Sequence, residues 1–375
     1  MLILAASLAL FVYGVITAML GTLMPTFPFT DAQNGTIALA QAIGLIVASV
    51  SVGPLIDKRG KKVGLLLGLT LIAAALFTIP NIRAEYGLLM AFFLLLGLGG
   101  GIVVTGANML ASDVSDKRRA SVLNITNWFF GLGGFATPFI MAHMLGGDPV
   151  RLCYLAAGLT AATLVVNALT RMPAPPIAAV SEQGAVFGRG VLYLLALFLF
   201  LYVACEVGVW NWLNKYLIGR GMPAGRALDV VSFGFALGLM FGRLVVSGIL
   251  VKASSLKVTL GAAILMAVTT FLMLRTSDPA LVWIEVFCAG VAMAPVFPTA
   301  LAIVGDVFRR RTATAMGFVI TCGWAGLAVS SPIIGYVAGR HTLGTALLLL
   351  PAFSVVMILV NLAIRPLTAQ SAHAA

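Results

Sequence analysis

A carboxylate stands inside a long apolar run. Leu192 to Val209 is apolar enough to lie in a bilayer, yet it contains Glu206 and leads straight into Trp210, Asn211, Trp212 and Asn214. A charge at the centre of a membrane helix costs about 2.5 kcal/mol or more on insertion scales, so a residue of this kind marks a functional position by default. Such a side chain can accept a proton and cycle between neutral and charged forms, or it can ligate sodium; its structural alternative is a hydrogen bond to a neighbouring helix. Glu285 is the other intramembrane carboxylate, but it lies only a few residues from a span end and beside Trp283, which suits a vestibule as well as a coupling site.

The remaining intramembrane polar groups are mostly amides and indoles. Asn124 and Asn127 are three residues apart and Trp128 is four from Asn124, so the three share one helical face. Gln41, Asn108, Trp210, Asn211 and Trp324 fall within other apolar runs. Amides exchange hydrogen bonds with hydroxyls and aromatic faces cover C–H surfaces, so this set suits a small hydroxylated ligand. The structural alternative for each amide is an interhelical hydrogen bond, worth about 0.6 kcal/mol. Trp210 and Trp212 also fit the role of interfacial anchors.

The elements that must position these residues are transmembrane helices. Of the 375 residues, 61% are hydrophobic and 9% are charged, whereas a soluble domain is about a quarter charged. Apolar runs of spanning length recur along the whole chain. Bounded by charges, glycines and prolines, they give twelve helices at about 2–24, 32–56, 63–82, 86–112, 119–145, 150–171, 190–218, 226–252, 257–275, 280–305, 312–339 and 342–364. The first begins without a basic leader or cleavage site and reads as a retained helix. Residues 172–189, with Pro173, Pro175 and Pro176, form the one long connection and separate a six-helix bundle at 1–171 from another at 190–375 with a short tail. Sixteen of the 23 Lys and Arg fall on the side that holds this linker and both termini, and seven on the other, which places linker and termini in the cytoplasm.

Several functions are excluded. The net charge of +11 comes from short loops between spans, where basic residues set topology, so nucleic acid is not a partner. Cys153, Cys205, Cys288 and Cys322 lie inside apolar runs without paired spacing and imply neither disulfides nor a metal. His143, His341 and His373 lie at helix ends or in the tail, which leaves no catalytic or metal cluster, so no enzyme and no cofactor beyond a coupling ion is expected. The glycines at 97, 99, 100, 101, 131, 133 and 134 follow no strand and serve helix packing, not nucleotide binding. Pro138, Pro295, Pro298 and Pro332 mark kinks.

The halves are related by duplication. Gly53, Leu55, Lys62 and Val63 recur 195 residues later as Gly248, Leu250, Lys257 and Val258, and Asp113, Val114, Arg118 and Ala120 recur 193 residues later as Asp306, Val307, Arg311 and Ala313. Between helices two and three, Gly53-Pro-Leu-Ile-Asp57-Lys58-Arg59-Gly60-Lys61-Lys62 resembles the Gly-x-x-x-Asp-Arg-x-Gly-Arg-Arg signature of the major facilitator superfamily, with Lys58 where Arg is usual. Ala107-Asn108, Asn124 to Trp128 with Gly131 and Gly134, Tyr202 to Gly208 with Trp212 and Tyr216, Gly242-Arg243, and Pro295 to Pro298 are similar to the fucose permease and sugar–proton symporter branch.

The resemblance implies an all-α membrane protein, twelve transmembrane helices in two pseudo-symmetric six-helix bundles, moving a small sugar by alternating access with protons or sodium. It assigns Gly53, Asp57, Arg59, Gly60, Asp113, Arg118, Arg243, Asp306 and Arg311 to the cytoplasmic gate and its structural motifs. With that fold, the intramembrane amides and indoles place substrate near mid-membrane among Gln41, Asn108, Asn124, Asn127, Trp128, Trp210, Asn211 and Trp324, and the two intramembrane acids, Glu206 and Glu285, are the candidates for the coupling ion. Members of that branch use acids on the first and fourth helices, whereas here those helices offer Tyr13, Thr17 and Thr22, and Asn108. The alternative on the same fold is a proton-driven exporter of drugs or other small organic solutes. A monomer in a bacterial inner membrane is expected, with lipid and the substrate as partners.

Overall fold

The computed structural model describes residues 1–112, 119–172, 187–249, 253–276, 278–308 and 312–373. Among the described residues every regular element is helical, and the helices fall into twelve consecutive segments. They are α1 (Leu2–Leu23), α2 (Asp31–Arg59), α3 (Lys61–Thr78), α4 (Tyr86–Ser112), α5 (Arg119–His143), α6 (Pro149–Leu169), α7 (Gly190–Gly219), α8 (224–249), α9 (Ser255–Arg275), α10 (279–307), α11 (Thr312–Arg340) and α12 (343–373). All but α5 are, among the described residues, long and apolar enough to cross a membrane by length and composition. Helices are the natural outcome, since in hydrocarbon each backbone N–H and C=O must be satisfied within its own segment.

The segments match the spans expected from sequence to within a few residues, except that α12 runs on to His373. Local chemistry sets the ends. Thr30 and Gln33 form a reciprocal capping box at the start of α2. Asp148 accepts from the backbone N–H groups of Val150 and Arg151 at the start of α6, with Pro149 in the first turn. Gly60 turns the chain from α2 into α3 at φ +86°, a conformation that a side chain resists. Two helices are irregular: α10 pauses at Ala294-Pro295, between Pro279–Met293 and Val296–Val307, and α8 holds a π-helical stretch at Val230–Ala236 between Ala224–Asp229 and Leu237–Ile249.

Contacts group the chain into two compact units, residues 1–179 with 210–232, and residues 180–209 with 233–375. Helix α7 contributes to both. In the first unit α1 packs on α5, α2 on α4, and α3 on α4 and α6. In the second, α9 packs on α12 and α10, and the later part of α8 packs on α10.

Glycines let these helices meet backbone to backbone. A Cβ built on Gly97 in α4 would fall 2.0 Å from the Gln41 carbonyl oxygen of α2, and one on Gly133 in α5 would fall 2.1 Å from that of Phe11 in α1. The second unit repeats both crossings. Gly290 in α10 would meet the Phe235 carbonyl of α8 at 2.3 Å, and Gly326 in α11 would meet the Phe200 carbonyl of α7 at 2.1 Å. Gly97 and Gly290 are 193 residues apart, as are Gly133 and Gly326, so the duplication read from the loops also fixes the helix crossings.

Gly97→Val and Gly290→Val should each destabilise the protein by on the order of 1–3 kcal/mol or more, because backbone rather than a movable side chain occupies the space. Gly158→Ala, where nothing lies within 4 Å of the new methyl, should stay within about 0.5 kcal/mol of the parent. Thermal unfolding midpoints of the detergent-solubilised protein measure the difference.

Candidate functional site

The first unit brings several of the amides into interhelical contact. Asn127 of α5 donates through Nδ2 to Oδ1 of Asn108 on α4 at 3.0 Å, while Asn108 Nδ2 donates to the Val104 carbonyl one turn back at 2.8 Å. Gln41 of α2 donates to the Ile16 carbonyl of α1 at 3.4 Å and is 7% exposed. Trp128 is half-buried with its ring edge-on to Phe129. Asn124 lies on the described helix α5, but its side chain is outside the described residues. The amide pair of Asn108 and Asn127 ties α4 to α5 and has the chemistry to exchange hydrogen bonds with a hydroxyl. A hydroxyl can take over one of the mutual bonds with no net loss of hydrogen bonding.

The final turns of α7 belong to the same unit. Trp210 and Asn211 are 1% and 2% exposed, and Trp212 is fully buried. The indole of Trp210 lies against Gly134 of α5, where an added Cβ would come within 2.7 Å of the ring. Burial of this degree removes the interfacial-anchor reading for Trp210 and Trp212, since an anchor keeps its polar edge in the headgroup region. Asn214 donates to the Gly21 carbonyl of α1 at 3.2 Å, and Lys215 pairs with Asp31 of α2 at 2.5 Å. His143 of α5 pairs with Asp229 of α8. These last contacts are additions to the sequence reading, because partners so far apart in the chain leave no local signal.

In the second unit, neighbours fix the orientation of α7 around Glu206. Phe200 and Ala204 face Gly326 of α11. Cys205 donates its thiol to the Leu350 carbonyl of α12 at 3.3 Å, and Gly208 faces the Leu350 side chain. At 100° per residue Phe200, Ala204, Cys205 and Gly208 lie on one side of α7, and Glu206 and Tyr202 lie on the other, bordered by Leu199 and Val203, which meet Gly323 of α11. Glu206 is 8% exposed and Tyr202 is fully buried. The Tyr202 phenol is within electrostatic reach of both the Glu206 carboxylate and the Arg243 guanidinium, and Arg243 itself is half-buried on α8. The sequence suggested an inner-end role for Arg243; the geometry adds a link to the Tyr202 and Glu206 face. Trp324 of α11 is 8% exposed.

Glu285 has a different setting. Its Oε1 accepts from the Thr276 hydroxyl at 2.7 Å, and Thr276 caps the C-terminal end of α9. The bond joins α9 to α10, which is a structural use for this carboxylate. Of the inner-face motif residues, Arg59 ends α2 and is exposed, Gly60 makes the turn, and Asp306 is exposed near the end of α10. Gly53 and Asp57 lie on the described helix α2, but the Asp57 side chain, like residues Asp113, Arg118 and Arg311 as a whole, is outside the described residues.

Comparison with known proteins places this architecture. A family model described as Major Facilitator Superfamily matches residues 2–331. The chain is 23% identical to the mouse (Mus musculus) "Sodium-dependent glucose transporter 1A", over 81% of each chain. Among solved structures it superposes on a D-xylose–proton symporter with a TM-score of 0.79 at 14% identity, covering 96% of both chains. The Escherichia coli fucose:proton symporter gives a TM-score of 0.69 at 18% identity, covering 96% of this chain and 98% of that one. Similarity at these identities shows the shared fold, and the family model spans most of the sequence. The chain belongs to the Major Facilitator Superfamily, as a membrane transporter and not an enzyme.

Proposed function

We propose that this transporter moves a small sugar, a hexose or related monosaccharide, by alternating access, and that Glu206 couples the movement to protons or sodium. The observation that carries the proposal is a carboxylate with 8% exposure in the middle of α7, sharing a helix face with a buried tyrosine. Holding an ionised carboxyl there is costly, and a site that binds and releases a cation puts that cost to use. The amides of Asn108, Asn127 and Gln41 and the indole of Trp128 supply the hydrogen-bonding and stacking chemistry that a sugar needs. The transport activities carried in the names of similar proteins, sodium-dependent glucose transport and proton symport of xylose and fucose, accord with it. Drug export on the same fold would favour an apolar lining over paired amides. The reading also takes the chain as two six-helix bundles joined by residues 172–189, with linker and termini cytoplasmic, acting as a monomer in a bacterial inner membrane.

Uptake of radiolabelled D-glucose, D-xylose and L-fucose into proteoliposomes, under an imposed proton or sodium gradient, tests this directly. Glu206→Gln should abolish accumulation against a gradient while counterflow exchange continues; undiminished accumulation would remove Glu206 from the coupling role. Asn127→Ala should raise KM for the accepted sugar about tenfold, the effect of losing one good hydrogen bond. An unchanged KM would leave the Asn108–Asn127 pair with a purely structural role.

A further inference from the structure

The two repeated crossings of α1 on α5 and of α7 on α11 give a register that the loops do not. Gly133 touches the carbonyl of Phe11 and the amide nitrogen of Val15, at 2.1 and 2.9 Å from its virtual Cβ. Gly326 touches the carbonyl of Phe200 and the amide nitrogen of Ala204, at 2.1 and 3.2 Å. The same pair of backbone groups, four residues apart, meets a glycine 193 residues on. Phe11 therefore corresponds to Phe200, an offset of 189, four less than for the glycines: α7 is displaced by about one helical turn along its partner relative to the loop-derived alignment.

In that register Phe11-Val-Tyr13-Gly-Val-Ile-Thr17 lies over Phe200-Leu-Tyr202-Val-Ala-Cys-Glu206. Tyr13 corresponds to Tyr202 and Thr17 to Glu206. Each tyrosine is two residues beyond the phenylalanine whose carbonyl meets the glycine, and each polar residue is one further turn along, roughly half a turn round from the glycine contact. Tyr13 is 6% exposed, and its ring stacks on Phe130 of α5 at 5.4 Å and lies beside Gly100 of α4. Thr17 is half-buried, and its hydroxyl donates to the Tyr13 carbonyl at 2.9 Å, which leaves the oxygen's lone pairs to accept.

We infer that Thr17, with Tyr13, is the first unit's counterpart of the Glu206 and Tyr202 site: a transport-active position whose neutral hydroxyl hydrogen-bonds substrate, and one from which a carboxylate can take over cation coupling. The inference rests on Glu206 being the coupling residue, and two readouts separate the claims. One is accumulation of the same three radiolabelled sugars in proteoliposomes. The other is pH titration of the protonated-carboxyl band in difference infrared spectra, which needs no sugar.

Thr17→Val should lower uptake about tenfold, the worth of one hydrogen bond, with the unfolding midpoint unchanged. Glu206→Thr should lose both accumulation and the band. Adding Thr17→Glu, or the shorter Thr17→Asp, should return both, whereas Thr22→Glu on the same helix should return neither. A monodisperse Thr17→Glu/Glu206→Thr protein without accumulation or band overturns the inference, and so does misfolding of both carboxylate variants, because an equivalent site accommodates the group. Accumulation that survives in Glu206→Thr overturns the coupling role itself. Should the parent accumulate none of the three sugars, the sugar reading fails and the infrared titration alone decides the equivalence.

Discussion

Backbone-to-backbone contact at glycine is the constraint on which the molecule depends. Lipid offers helices no hydrophobic reason to associate, so their packing comes from dispersion at close approach and from hydrogen bonds between polar groups withheld from water. Such approaches are made at Gly97, Gly133, Gly290 and Gly326 among others, where even a methyl group would occupy the space of a carbonyl oxygen. These contacts fix rotation and depth together. With Phe200 held on Gly326, α7 has one angular setting, which turns Glu206 and Tyr202 away from that glycine. The intramembrane carboxylate is thus aimed by residues that carry no chemistry of their own.

Polar side chains inside the helices divide by how their bonds are made. Most threonines return their hydroxyl proton to the carbonyl one turn back, as Thr22, Thr137, Thr160 and Thr270 do, which satisfies the donor within their own helix and leaves the oxygen as an acceptor. Several asparagines also reach across: Asn127 to Asn108, Asn167 to the Ala5 carbonyl, and Asn361 to Thr259. Asn167 and Asn361 lie far along the last helix of each repeat, are almost completely buried, and are 194 residues apart. Their place in the repeat explains them as ties, whereas Asn108 and Asn127 are half-buried and have no such counterpart.

Helix positions were legible because every span is bounded by charge, proline or glycine, and the deep acid stood out because so few charges interrupt the apolar runs. The glycine-rich stretches were read as packing surfaces, and they are. The ion pairs of Lys215 with Asp31 and His143 with Asp229 were not legible, since each joins helices distant in the chain. Nor was the relation between Thr17 and Glu206: the loop motifs align at offsets of 193 and 195, and α7 departs from both. The signal was present as Phe-x-Tyr followed four residues later by a polar side chain, but only the matching contacts at Gly133 and Gly326 give it meaning. The burial of Trp210 and Trp212 was hidden for a simpler reason: tryptophan near a span end suits either a lipid interface or a protein interior.

The π-helical stretch in α8 shows how a duplicated helix tolerates unequal length. From the first residue of α2, Asp31, to Gly44 is 13 residues, and from the first residue of α8, Ala224, to Gly238 is 14. In an unbroken α-helix one additional residue would rotate everything beyond it by about 100°, carrying Gly238 and Gly242 off α10 and moving Arg243 to another face. A wider turn takes up the surplus residue before it reaches the glycine seam. The copies have thereby diverged in length as well as in sequence while keeping the seam in phase, so an insertion elsewhere in this fold is tolerated or rejected according to whether a wide turn stands between it and the next glycine crossing.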